Sequence, residues 1–105
     1  MLNIKDIENN FLNKLKEKLL NKQFKMGGKF PPEIPKSVGE VFILNLLEYF
    51  PNVSEFDVKP IVQGNILLVK VEANKETTLV DVILPIKIDE EILTINNVLV
   101  SVKNM

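Results

Sequence analysis

Four groups of residues in this chain have types and spacings that chemistry can use. Asp89, Glu90 and Glu91 form the densest carboxylate cluster, and carboxylates are the ligands of hard cations such as Ca²⁺. A calcium loop of the EF-hand kind also needs alternating ligands, a glycine at its sixth position and a glutamate at its twelfth. The residues after Asp89 supply neither, so the cluster reads as a solvated turn and no metal is expected. Glu55 and Asp57 alternate and would share one face of a strand, as an acid–base pair must, but nothing around them marks a substrate cleft.

Gly27-Gly28-Lys29 has part of the composition of a phosphate loop. Such a loop lies between a strand and a helix, with its amides and the helix N-terminus facing the phosphates. Here a helical pattern precedes the glycines and Phe30-Pro31-Pro32 follows the lysine, so the glycines are expected to end the first helix instead. Lys29, Pro32 and Pro35 match the spacing that shows one polyproline face to an SH3-type groove. They form a weak candidate ligand. Pro31, Pro32 and Pro35 are expected to hold an extended corner between two helices, and no SH3-type partner is expected.

Histidine and cysteine are absent, which removes Ser-His, Cys-His and His-zinc chemistry. All 13 basic residues are lysine, so there is no guanidinium fork for phosphate or guanine. With one tyrosine and no tryptophan the chain also lacks stacking platforms for nucleic acid. No catalytic residue, cofactor or enzymatic activity is expected.

The elements that would carry these residues follow from the apolar pattern. With 105 residues, 46% hydrophobic and 26% charged, the chain fits a single domain with its own core. It has no apolar run long enough to span a membrane and no secretory leader pattern, so the cytoplasm is the expected compartment. Net charge is −1, but residues 1–29 hold seven lysines against three acids, and the remainder is acidic.

Residues 1–25 are expected to hold an amphipathic helix. Ile4, Ile7, Phe11, Leu12, Leu15 and Leu19 fall on one stripe, while Leu20 and Phe24 lie off it and Lys22 falls on it. The helix is therefore expected to bend or end near there, and Phe24 to turn toward other contacts. Lysines border the stripe, so Phe11, Leu12, Leu15, Leu19, Lys14, Lys18 and Phe24 form the candidate interaction surface. Residues 26–36 are the Gly/Pro-rich connector, and 37–50 a buried helix opened by a Ser37–Glu40 capping box and stopped by Pro51.

Residues 55–105 read as an antiparallel sheet of four strands, turning at Gln63-Gly64-Asn65, Ala73–Glu76 and Asp89–Glu91. Pro60 suits an edge strand, and Pro85 implies a bulge or a strand end. Asn96-Asn97 is either a type I′ turn that makes a fifth short strand or a bulge, with one continuous fourth strand the favoured expectation. On the third strand Val80, Val82, Leu84, Ile86 and Ile88 mark one face, with Leu79 and Ile83 on the other. A sheet apolar on both sides needs two covers.

The expected fold is thus α+β, in the order α-α-β-β-β-β, with the sheet packed on helix 2. The expected function is a non-enzymatic protein–protein interaction or assembly module, a homo-oligomer or the partner of another protein. The alternative is a binder of apolar ligands or membrane surfaces through helix 1 and the two-sided sheet.

Overall fold

The computed structural model describes residues 3–74 and 77–103, so Lys75 and Glu76 of the expected Ala73–Glu76 turn lie outside the described residues. In chain order the elements are α1 (Ile4–Leu19), β1 (Gln23–Lys25), α2 (Glu33–Asn45), a 3-10 turn (Leu47–Tyr49), β2 (Phe56–Gln63), β3 (Ile66–Ala73), β4 (Thr77–Asp89), β5 (Ile92–Ile95) and β6 (Leu99–Val102). The class is α+β and every strand pair is antiparallel. Among the described residues, however, the sheet has six strands rather than four, in the order β1-β5-β4-β3-β2 with β6 beside β4.

Asn3 opens α1, its side chain accepting a hydrogen bond from the Lys5 N–H at 3.0 Å. Ile7, Phe11, Leu15 and Leu19 recur at helical spacing and are buried. Each contributes roughly 1.5–3 kcal/mol of burial before ordering costs. The helix stops at Leu19, where the stripe breaks and short of the outer bound at residue 25, because Asn21 takes a left-handed φ of 63° that asparagine tolerates. Its N–H then donates to the Ile95 carbonyl at 2.9 Å, and the Ile95 N–H donates to Lys22 at 3.1 Å. The chain is thereby laid beside β5 as β1, the strand that separates the two helices.

Gly27 and Gly28 do not end α1. They are the central residues of a turn after β1, with φ of 54° and 83°, closed by the Lys29 N–H to the Met26 carbonyl at 2.8 Å. Two positive φ values in succession define a type I′ turn, which glycine enters without strain.

The second helix starts earlier than the capping box implied. Pro32 is its N-cap, with φ −69° and ψ −16° and no side-chain cap bond, and Ser37 lies inside the helix. Pro35 sits in the first turn, where a missing N–H removes no helical bond. The prolines therefore start α2 rather than hold an extended corner. The α-helix also ends at Asn45 instead of Phe50, and a 3-10 turn carries the chain on. Phe42 meets Phe50 and Phe56 with ring centroids at 5.9 and 4.8 Å. Gly39 brings the helix close to β2, since a Cβ there would lie 3.4 Å from Val58 Cγ2.

Two tight turns fix the register of the hairpins. Gly64-Asn65 pairs Gln63 with Ile66, and Glu90-Glu91 pairs Asp89 with Ile92. In β4, Leu79 is an extra residue between Val71↔Val80 and Glu72↔Thr78. This bulge lets both Leu79 and Val80 be buried, correcting the expected division of faces. Ile88 shares the face of Val80, Val82, Leu84 and Ile86 but is 48% exposed, because β4 there runs past the end of β3.

Pro85 marks a second irregularity. Its carbonyl accepts the Asn96 N–H at 2.8 Å, so its nitrogen faces the same edge and offers no hydrogen. Ile95 pairs Ile86 and Leu99 pairs Ile83, leaving Asn96, Asn97 and Val98 opposite Leu84 and Pro85. The last strand is therefore one path along β4, broken by a bulge into β5 and β6.

Phe56, Val58, Val69, Val71, Val80, Val82, Leu84, Leu93 and Ile95 share one sheet face by register. They belong to or adjoin one cluster of buried apolar residues that also holds Phe11 and Leu15 of α1 and Val38 and Phe42 of α2. Glu8 adds a polar tie between helix and sheet: its carboxylate accepts the Val102 N–H of β6 at 2.8 Å.

Candidate functional site

The residues named from sequence mostly serve the fold. Phe11, Leu15 and Leu19 are at most 1% exposed, and Leu12 is half-buried against the same core. They cannot present a surface in this conformation. Phe24 lies on β1 opposite Leu93 and is likewise half-buried. Lys14 and Lys18 remain at the surface, paired with Glu17 at 3.9 Å and Glu40 at 3.7 Å. Exposed pairs of this kind add little stability. Lys29, Pro32 and Pro35 do not form one extended face, since Pro32 is in the helical region and Pro35 in α2.

Asp89, Glu90 and Glu91 form the tip of the β4–β5 hairpin and all three are exposed. Among the described residues no group of three potential ligands is placed to hold a metal ion. Glu90 and Glu91 have φ of 49° and 66°, the type I′ conformation without the glycine or asparagine that favours it. Glu55 and Asp57 flank an open hollow of about 210 Å³ with Phe56 and Asn74, the described residues that line it. A larger open hollow, about 470 Å³, lies where β4 projects past the β2–β3 turn, lined by Gly64, Asn65, Ile86, Lys87, Ile88 and Asn96. No helix is long and apolar enough to cross a membrane among the described residues.

The other sheet face holds the most organised surface. By register, Ile61 lies opposite Leu68, Leu68 opposite Ile83, and Ile83 opposite Leu99. One aliphatic row thus crosses β2, β3, β4 and β6. Ile66, opposite Pro85, extends it toward the hairpin tip. Ile61, Ile66 and Leu99 are 38%, 42% and 47% exposed, and Leu68 and Ile83 are half-buried by their neighbours alone. Scattered surface aliphatics need no explanation, whereas this row is contiguous across four strands.

A charged border lies along one side of that row. Lys59, Lys70, Asp81 and Ser101 are the next residues on the same face of the four strands, followed by Asp57, Glu72 and Thr78. Lys59 bonds Glu72 and Lys103 bonds Asp81, each at 3.2 Å. One oxygen of Asp81, Oδ1, is buried with no hydrogen-bond donor among the described residues.

The strand edges beside this face are poor docking sites. Gly64-Asn65 closes a two-residue hairpin, so Gln63, Ile61 and Lys59 bond β3, while Val62, Pro60 and Val58 point outward from β2. Pro60 thus leaves a gap in the row of free donors. On the opposite edge Glu8 occupies the outward N–H of Val102.

The row was missed in sequence because its members lie on four separate strands. The two-residue turn after Gln63 was a signal for Ile61↔Leu68, whereas Leu68↔Ile83 depends on a bulge at Leu79 that no residue type announces. Comparison with known proteins finds no matching family model, curated protein or solved structure.

Proposed function

We propose that this chain is a non-enzymatic protein-interaction and assembly module that works as a homo-oligomer through the outer face of its sheet. In this reading α1 and α2 close one face, with the sheet packed on α2, and another protein surface closes the other.

The observation that supports it is the row Ile61–Leu68–Ile83–Leu99 with Ile66 beside it. At their exposures these side chains present on the order of 300 Å² of apolar surface, about 7 kcal/mol of burial at ~25 cal/mol per Å². Two copies supply twice that, about 14 kcal/mol, which offsets all but the upper end of the roughly 4–15 kcal/mol lost on association. The absence of histidine and cysteine points the same way, since an enzyme on this chain would have to work without the commonest acid–base and nucleophilic groups.

Sedimentation velocity over a concentration series tests the reading. The expected result is reversible self-association that Ile61→Lys and Leu99→Lys each weaken, with circular dichroism unchanged. Self-association indifferent to both substitutions would place the contact elsewhere and remove the outer face from the account.

A further inference from the structure

We infer that the occupant of the outer face is a second copy of this chain, related by a two-fold axis that runs parallel to the strands between β3 and β4. The inference rests on the assembly reading above and specifies its geometry. A two-fold contact requires a surface complementary to itself, because each residue meets its counterpart from the reversed order. Few surfaces satisfy that by accident.

Taken across β2, β3, β4 and β6, the aliphatic row is Ile61, Leu68, Ile83, Leu99. Reversed, it is apolar against apolar throughout. The next row is Lys59, Lys70, Asp81, Ser101. Its reversal sets Lys70 of each copy against Asp81 of the other, and Lys59 against Ser101.

The row beyond is Asp57, Glu72, Thr78 and then Lys103, which the 3.2 Å bond to Asp81 places on this face. Reversal sets Asp57 against Lys103 and Glu72 against Thr78. No like charges face each other in either row. The central pair also answers a local need, since the Asp81 carboxylate keeps an oxygen without a donor among the described residues.

Sheets that pack face to face lie about 10 Å apart with strands rotated by roughly 30°, so pairs near the axis are displaced least. Leu68 against Ile83 and Lys70 against Asp81 are those pairs. An axis across the strands instead would set β2 and β3 beyond Lys59 and Lys70 over nothing, because their hairpin ends at Gly64-Asn65.

The size of the face sets the strength. Four strands at ~4.8 Å and three row intervals at ~6.8 Å give roughly 400 Å² of flat area per copy, about half of a standard interface. The dimer is accordingly expected to form at about tens to hundreds of micromolar.

The test uses charge reversal in the full chain, measured by sedimentation equilibrium. Lys70→Glu alone places Glu against Asp81 at both symmetric contacts, and Asp81→Lys alone places Lys against Lys70. Each variant is expected to weaken self-association by roughly 30-fold or more. Mixed in equal amounts, the two variants place opposite charges at both contacts, and the dimer should return to within about threefold of the parent. Only a contact between chains can be rescued by mixing.

A parent that dimerises while the single variants are unaffected, or while the mixture fails to recover, overturns this geometry and leaves the assembly reading standing. A parent that stays monomeric to several hundred micromolar overturns the geometry and the homo-oligomer together. If circular dichroism shows either variant unfolded, Asp57→Lys and Lys103→Glu provide the same mixing logic at exposed positions. Recovery in that mixture supports the geometry, and its absence overturns it.

Discussion

Replacing Glu8 by alanine removes the acceptor that ties α1 to β6. In the parent its carboxylate takes the Val102 N–H at 2.8 Å across a separation of 94 residues. Val102 is only 8% exposed, so water recovers that N–H poorly once the carboxylate is gone. A bond to a charged acceptor contributes about 1.5–3 kcal/mol, and half-exposure of the glutamate lowers the expectation to about 1–2. Alanine returns a few tenths of a kcal/mol through its better helix propensity. The net loss should be about 1–1.5 kcal/mol, a fall of roughly 0.5–1 M in the urea midpoint with an unchanged slope. Glu8→Gln keeps an amide oxygen in place and should cost less than half as much. Hydrogen exchange adds a local readout, because the Val102 amide should lose protection in Glu8→Ala before the core does. An alanine variant as stable as the parent, with Val102 still protected, would refute the placement of α1 on the β6 edge.

Other substitutions test other parts of the fold. Replacing Glu90-Glu91 by Asn-Gly suits both left-handed positions and relieves a run of three acids, so thermal unfolding should show a gain of about 1–2 kcal/mol. Gly39→Ala should add about 0.5–1 kcal/mol in chemical denaturation, since alanine favours the helix and its Cβ meets Val58 at ordinary contact distance, whereas Gly39→Leu should destabilise by forcing α2 off β2. Pro60→Thr restores an outward donor on β2, and static light scattering should detect edge-driven aggregation at stability within about 0.5 kcal/mol of the parent.

The legible parts of this fold were local, and the illegible ones depended on distant partners. The α1 stripe was plain because Ile7, Phe11, Leu15 and Leu19 repeat at helical spacing with no competing pattern. The hairpins were plain because Gly64-Asn65 and the Asp89–Glu91 acids interrupt apolar alternation. By contrast Gln23, Phe24 and Lys25 are too few to show a period, and they become a strand only because β5 lies beside them. The start of α2 was hidden by prolines, which the first turn of a helix tolerates as readily as a loop does. The recurrence of Ile34, Val38, Val41 and Phe42 at helical spacing held the contrary signal.

The interaction surface was displaced for a related reason. A greasy helix with lysine borders looks the same from sequence whether its cover is another protein or its own sheet. Here α1 is spent on the core, and the apolar surplus lies across strands whose alignment needs two turns and a bulge. The expectation of a sheet apolar on both faces did anticipate that surplus and named Ile83 in it, though not the row that Ile83 forms with Ile61, Leu68 and Leu99.

The most direct test of the outer face is the concentration dependence of backbone amide shifts by NMR. On dilution from several hundred micromolar, the account predicts progressive shifts at Ile61, Leu68, Lys70, Asp81, Ile83 and Leu99, with the exposed Ile43 and Leu44 of α2 unmoved. Shifts centred on Ile43 and Leu44, or none in the sheet, would contradict it.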